Sequence, residues 1–421
     1  METDYNEIDE GTGYVGYREA FELISEHVPV TGAEQLPLDS CVGRIAAGDI
    51  VAAVSYPSSD VSLKDGFAIQ SADIADATQE HPVLLRVTGS VFAGSRYEGE
   101  VHAGEAVTIC SGAPIPRGAT AVVSVEFCDE PSPGEVSVKA DAEPGRNVLR
   151  AGGEVKAGET IVSKGEGLTP GYMGLAAAAG IDRVSVYSRP RAAVLGVGDE
   201  VVAPGEDLSP GQLYASNLVT MAAWLSSFDI PYKTSVVDDN NEAIERELRR
   251  HLPDAEVILT SGGAWGSERD LVVGTLNAMG WEEIFHHVRI GPGKGIAFGL
   301  WEGKPVFCLP GGPASNEMAF LQLALPGILR MAGDTRHPLQ LTSARLMEDL
   351  VARHHAWTEF KDATLSRDAG GGYKVEMYRH RSRLQAIASA NGLVCIPEGT
   401  ASLSAGDIVP VQVLAPRLDC I

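Results

Sequence analysis

From residue 191 to residue 331 the chain alternates short apolar runs with stretches of helical periodicity, and this alternation constrains the fold more tightly than any other feature. The runs at 192–197, 233–237, 256–260 and 285–290 predict strands, while 217–227, 241–252 and 270–279 predict helices. In the second of these helices Ile244, Leu248 and Leu252 recur at helical spacing. A hairpin turning at Glu302-Gly303 is expected over 297–309, with a long helix over 314–331. Such alternation predicts a mainly parallel sheet covered on both faces.

Three predicted strand ends carry unusual loops: Gly196-Val197-Gly198-Asp199-Glu200, Ser261-Gly262-Gly263-Ala264-Trp265 and Pro310-Gly311-Gly312-Pro313-Ala314-Ser315. Glycines there let backbone N–H groups approach an anion, and a helix N-terminus adds partial positive charge. Any one loop alone reads as an ordinary strand-to-helix turn. Three on one sheet edge point instead to a site for a phosphate-bearing ligand. No loop fits GxxxxGK[ST] or GxGxxG, which excludes an ordinary P-loop and a dinucleotide fold. Asp199, Glu200 and Asp270 would repel an anion unless a divalent cation bridges them to it, and carboxylates with phosphate oxygens suit Mg2+. The alternative for Asp199 and Asp270 is helix capping. Lys294, in Gly291-Pro292-Gly293-Lys294-Gly295, is either the local positive counterpart or a solvated turn lysine. The formal net charge of −24 disfavours nucleic acid and anionic membrane as partners.

The rest of the 421 residues is organised around this segment, and the length suits about three domains. Residues 14–26 predict a helix with Ala20, Phe21, Leu23 and Ile24 on its apolar face. From about 49 to 148 short β-branched runs (82–91, 106–110, 121–127, 135–138) predict a small all-β unit. The segment 154–187 returns to mixed structure with a helix at 172–179, so the two flanks are expected to pack together with the β unit inserted. The tail, 342–414, has β runs at 373–378, 392–396 and 408–413 and reads as a small barrel. Within the β unit, Asp65-Gly66 and Ser111-Gly112-Ala113-Pro114 each look like turns when taken alone. Six scattered cysteines without CxxC spacing fit a reducing cytosol, and neither a signal peptide nor a membrane span is expected.

Taken in order, these segments closely resemble the molybdopterin molybdenumtransferase family: bacterial MoeA, the gephyrin E domain and the E domain of the plant molybdenum-insertion protein. The carriers run over nearly the whole chain. They include Asp65-Gly66-Phe67-Ala68, Ile109 to Pro116, Gly153-Glu154, Gly198-Asp199-Glu200, Ser216-Asn217, Asp238-Asp239, Ser261-Gly262-Gly263, Asp270, Pro292-Gly293-Lys294, Leu309-Pro310-Gly311 and Ala390-Asn391-Gly392-Leu393. The resemblance implies a multidomain α/β plus β fold. Its parts are a helical linker domain (1–48 and 149–188), an inserted β domain (49–148), a molybdopterin-binding α/β domain (189–333) and a C-terminal β-barrel (334–421). It further implies a cytoplasmic homodimer whose cleft lies between the α/β domain of one subunit and the β domain of the other. The implied reaction inserts molybdate into adenylylated molybdopterin and releases AMP with Mg2+, and a molybdopterin adenylyltransferase is an implied partner. Carried across, Asp65, Ser111, Glu200 and Asp270 are catalytic. Gly198, Ser261, Gly262, Gly263, Trp265, Lys294, Pro310, Gly311, Gly312 and Ser315 hold substrate, while Asp199, Glu200, Asp238, Asp239 and Asp270 are the metal candidates.

The chain also departs from the family pattern. Gly291 stands where the family usually has Lys, Gly312 where it has Asn, Ser111 for Thr, Val155 for an acid and Thr120 for a common Asp, while Trp265 enters the second loop. These changes point to a divergent paralogue with an altered oxyanion, tungstate among them, or with reduced catalysis. The competing readings are a non-catalytic molybdopterin-binding or cofactor-delivery module and a scaffold.

Overall fold

Strand Ala192–Val197 (β1) explains the centre of the molecule. Ala192 and Val194 face one apolar cluster, Ala193, Leu195 and Val197 face another, and all are buried. A strand buried on both sides must sit inside a two-sided sheet. Its companions are Tyr232–Val237 (β2), Val257–Ser261 (β3), Glu282–His286 (β4), Ala297–Trp301 (β5) and Lys304–Leu309 (β6). In this computed structural model, which describes residues 13–263, 271–368, 370–379 and 382–414, their order is β2-β1-β3-β6-β5-β4. Neighbours from β2 to β6 are parallel, and β5 runs antiparallel to both β6 and β4. The β5–β6 hairpin turns at Glu302 and Gly303, both with positive φ as a tight two-residue turn requires.

Helices Ser216–Ser227 (α1), Asn241–His251 (α2), Leu271–Ala278 (α3) and Pro313–Ala319 (α4) cover the sheet. One face takes Leu218, Met221 and Leu225 of α1 together with Ala20 and Ile24 of the helix Tyr17–His27. The opposite face takes Ile244 and Leu248 of α2 with Val272 and Leu276 of α3. Asn240 starts α2 by accepting the Ala243 N–H at 2.9 Å.

Three local expectations need correction. The run 285–290 is not one strand: His287 has φ +72°, so β4 ends at His286 and Val288–Gly291 joins a different sheet. The long helix over 314–331 is interrupted by a π-turn, Phe320–Ala324, between α4 and Leu325–Met331. The run 121–127 is extended only to Ser124 and then tightens into a 3-10 turn, Val125–Phe127.

The tail forms a closed barrel. Thr358–Arg367, Tyr373–Met377, Gln340–Leu346, Ile408–Val413 and Gly392–Ile396 pair in turn, and the last returns to the first. Val288–Gly291 pairs onto Thr358–Arg367 at Gly291↔Glu359, so the barrel borrows a strand from the α/β segment.

The chain divides into two compact units, the described residues of Met1–Gly32 with Tyr187–Ile421, and Ala33–Val186. The second unit contains a six-stranded sheet ordered Ala121–Ser124, Gly66–Ile69, Glu105–Ile109, Val83–Val91, Glu135–Val138 and Cys128–Ser132. Beside it, Ile50, Val162, Met173 and Val186 bring the flanks of that sheet into one core. The five described cysteines are free, and among the described residues no helix is long and apolar enough to cross a membrane.

Two glycines test the packing in opposite directions. A Cβ at Gly299 would strike the Glu282 carbonyl and the Trp281 ring (2.6 Å), whereas one at Gly174, inside the helix Pro170–Ala178, meets nothing within 4 Å. Gly299→Ala is expected to destabilise by about 1–3 kcal/mol. Gly174→Ala is expected to stabilise by about 0.5–1 kcal/mol. Denaturant unfolding of the two variants checks both signs.

Candidate functional site

The chain leaves β1 for β2 on one side and for β3 and β6 on the other, so connection direction reverses between β1 and β3. A crevice beyond the carboxyl ends of the strands is the consequence. Parallel register sets Ser261 beside both Gly196 and Leu309, which brings the three glycine loops together. The Gly262 N–H donates to the Leu309 carbonyl (3.1 Å), and Gly198 N–H to the Val237 carbonyl (3.1 Å). Gly262 has φ +98°, and a Cβ on it would lie 2.5 Å from the Val197 carbonyl oxygen, so only glycine fits this crossing.

Two asparagines then stitch the loops. Asn217, on α1, donates Nδ2 to Ser261 Oγ (3.0 Å) and to the Gly311 carbonyl (2.8 Å). Asn316, on α4 and 1% exposed, donates Nδ2 to the same Ser261 Oγ (3.1 Å) and to the Pro310 carbonyl (2.9 Å). The result borders a cavity of about 500 Å³ lined by Glu200, Asn217, Ser261, Gly262, Gly311 and Pro313.

The acidic candidates distribute around this edge. Asp199 and Glu200 are exposed after β1, and Asp238 is exposed after β2. Asp199 Oδ1 accepts the Asp239 N–H at 2.9 Å, so it ties the first two strand ends together. The Glu200 carboxylate folds over Gly198, where a Cβ would stand 2.7 Å from Oε2. Gly263 packs against Val272, and Gly312 caps α4. Trp265 and Asp270 lie outside the described residues.

Lys294 and Ser315 line a second cavity, also about 500 Å³, between α4, the Gly291–Lys294 turn and the barrel. Lys294 Nζ sits 5.8 Å from the centre of the Trp357 ring, and burial lowers its pKa. In the same cavity burial pushes Glu317 up to about 7, with Asp362 adding to the rise and the Trp224 Nε1–H bond (3.0 Å) opposing it. Asp362 is itself raised by burial.

Asp65 and Ser111 belong to the other unit and meet there. Asp65 Oδ1 accepts the Ser111 N–H at 2.7 Å, and both residues are exposed. Sequence reasoning did not single out Asn316, Glu317, Trp357 or Asp362. A buried asparagine one turn after a Pro-Gly-Gly loop has no periodic signature, and the other three gain significance only when α4 meets the barrel.

A two-sided α/β sheet with a three-loop cradle at its switch point, joined to a closed barrel and a second β-containing unit, defines a multidomain ligand-binding protein. Comparison with known proteins makes the class specific. Family models match residues 15–180 (MoeA N-terminal region, domain I and II), 193–330 (probable molybdopterin binding domain) and 344–414 (MoeA C-terminal region, domain IV). The chain is 33% identical over 379 residues to molybdopterin molybdenumtransferase 2 of Mycobacterium tuberculosis, covering 88% of this chain and 92% of that protein. It is 28% identical to the molybdopterin molybdenumtransferase of Haemophilus influenzae, over 91% and 94% of the two chains. A crystal structure of the molybdopterin biosynthesis protein MoeA from Pyrococcus horikoshii matches with TM-score 0.81 at 26% identity, over 95% of this chain and all of that one. The chain belongs to the molybdopterin molybdenumtransferase family.

Two measurements probe this geometry. Asn316→Ala removes one of the two amide donors to the Ser261 hydroxyl, leaves the Pro310 carbonyl without its Asn316 partner, and is expected to cost about 1–3 kcal/mol in urea unfolding. For Glu317 the folded pKa of about 7 lies above its ordinary 4.5. The protonated carboxyl therefore contributes stability below about pH 4.5 that is lost as pH rises through about 7. The stability of the natural chain relative to Glu317→Gln should fall across that window, and a flat difference would contradict the assignment.

Proposed function

We propose that this chain inserts molybdate into adenylylated molybdopterin and releases AMP. The observation that carries the reading is the Ser261 anchor: one hydroxyl, through two asparagines, ties two glycine loops together beside the third around a cavity, in a segment matched by a probable molybdopterin binding domain. The backbone N–H groups of Gly311 and Gly312, where the third loop enters α4, bind the pterin phosphate without demanding positive side chains from an acidic protein. The Ser261 hydroxyl, which accepts from both asparagines, donates its own proton to that phosphate, and Glu200 at the rim would be a ligand for a magnesium ion.

Among the described residues no three acid, histidine or cysteine side chains converge into a metal cage. The strand-end donors are carboxylates, Asp199, Glu200, Asp238 and Asp239, joined in the sequence by Asp270. Such a set suits magnesium held by one or two carboxylates and by phosphate oxygens. Bound there, magnesium neutralises developing charge and eases the departure of AMP.

Asp65 and Ser111 form the second part of the proposal. Their paired, exposed groups serve a reacting substrate in a homodimer, contributed by one copy to the α/β cavity of the other. The four-domain partition, a cytoplasmic site of action and a molybdopterin adenylyltransferase as supplier of the substrate belong to the same reading.

The direct assay incubates the chain with adenylylated molybdopterin, molybdate and Mg2+ and follows AMP. AMP release that depends on molybdate and magnesium is expected, with loss of at least about a hundredfold in Glu200→Ala. Binding without AMP release would instead support a cofactor-delivery module. Mixing Asp65→Ala with Glu200→Ala chains should restore part of the activity that each lacks alone, because one intact composite site can form in the mixed dimer. Failure of the mixture to recover activity would contradict the shared site.

A further inference from the structure

Beyond its first turn the helix that starts with α4 is buried on every side. Each residue from Met318 to Leu329 is buried, and Gln322 is the one polar side chain among them. An apolar stripe along one face fixes how a helix turns about its own axis. A segment that is apolar all round has no such stripe, so burial alone leaves its rotation open. The rotation matters at the front of the helix, where Asn316 aims Nδ2 at both the Ser261 hydroxyl and the Pro310 carbonyl.

Gln322 supplies the preference that apolar burial lacks. It is fully buried and exchanges two hydrogen bonds with Gln412 of the barrel strand Ile408–Val413. Gln322 Nε2 donates to Gln412 Oε1 (2.7 Å), and Gln412 Nε2 donates to Gln322 Oε1 (3.1 Å). The Tyr17 hydroxyl also donates to Gln322 Oε1 (3.3 Å), and Gln412 Nε2 lies 3.4 Å from His337 Nε2. A slip of the helix by one residue would strand these amides in the core, where an unpaired donor or acceptor costs its full desolvation. Buried asparagines set the register of coiled coils by the same means. The π-turn Phe320–Ala324 is where the two ends of the helix are reconciled. Gln322 is its middle residue, and the Leu325 N–H closes it on the Phe320 carbonyl, five residues back. Such a turn holds one residue more than an α-turn, so the helix ahead of it is out of phase with the helix behind. Behind it the helix is seated closely, since a Cβ on Gly327 would stand 2.7 Å from Ile24 Cγ2. Turning the helix would bring a larger residue to that spot.

We propose that Gln322 is a positioning residue for the Ser261 cradle: paired with Gln412 at the π-turn, it sets the rotation of α4 and so the aim of Asn316. The contacts run from the barrel strand to Gln322, along α4 to Asn316, and from there to Ser261 and the Pro310 carbonyl, all within one compact unit. Gln322 touches no substrate. It acts on the site by holding in place one of the two amide donors to the Ser261 hydroxyl. The inference rests on the function proposed above only in taking that cradle as the phosphate site of the substrate.

The test removes the network without opening the core. In the full chain Tyr17→Phe, Gln322→Met and Gln412→Met are combined, which exchanges the buried polar groups for apolar ones of similar shape. Replacing all partners together is close to neutral for stability, unlike removing one. The urea midpoint of the triple variant is therefore expected to match that of the natural chain. Amide hydrogen exchange over α4, read by mass spectrometry, should nevertheless quicken by about tenfold or more, with exchange over β1 unchanged. KM for adenylylated molybdopterin should rise about tenfold while kcat is retained, the pattern of a lost binding contact. Tyr17→Phe alone removes one donor without altering shape and should quicken α4 exchange by about twofold. Natural α4 exchange in both variants would overturn the inference. So would a urea midpoint that falls in step with the exchange, because that is the signature of a stabilising role alone. AMP release by the natural chain separates the two ideas. A natural chain that releases no AMP, beside a triple variant of natural midpoint with fast α4 exchange, refutes the transferase reading alone. A natural chain that releases AMP, beside a triple variant with natural exchange and natural KM, refutes this inference alone.

Discussion

One serine hydroxyl carries the geometry of the α/β edge. Ser261 Oγ receives amide donors from Asn217 on α1 and Asn316 on α4, helices separated by about a hundred residues of chain. Each asparagine spends a second N–H on the Pro310–Gly311 backbone, so the two loops cannot move independently. This arrangement depends on parallel register, which sets Ser261 level with Gly196 and Leu309. Without that register the glycines would be three separate turns. With it they become one preorganised surface, held by the Gly198 and Gly262 N–H groups as well as by the two asparagines.

That surface also resolves a conflict of charge. A chain of net charge −24 has few cations to spend on phosphate, and the first cavity has a carboxylate, Glu200, in its lining. Backbone N–H groups provide attraction that does not change the net charge. The second cavity settles its charges differently. There Lys361 is neutralised by Glu359, Lys294 lies against an indole, and burial holds Glu317 and Asp362 toward their neutral forms. The two cavities thus differ in their charged groups, Glu200 alone in the first and groups of both signs in the second, although they share a turn.

Much of the fold could be read from pattern alone. The two-sided burial of β1, the α2 stripe of Ile244 and Leu248, and the Glu302-Gly303 hairpin follow from periodicity and turn chemistry. The failures have local causes. His287 adopts a left-handed conformation that only tertiary pairing justifies, and it divides one apolar run between two sheets. Gln340–Leu346 and Thr358–Arg367 were not anticipated as strands because polar residues interrupt their alternation. At the site, glycine loops were visible because their backbone requirement is written in their composition. Asn316 and Glu317 were not, since nothing in the sequence distinguishes a polar residue turned into a core from one facing water. The absent basic residue at 291 was visible as a gap. What fills it, Trp357 and Glu359, comes from a strand pairing that joins residues almost seventy positions apart.

A crystal structure of the chain with adenylylated molybdopterin bound tests the central claim most directly. The account predicts the pterin phosphate against the backbone N–H groups of Gly311 and Gly312, within hydrogen-bonding distance of the Ser261 hydroxyl, with the Asn217 and Asn316 contacts intact. A phosphate seated elsewhere, with the Ser261 cradle empty, would contradict it.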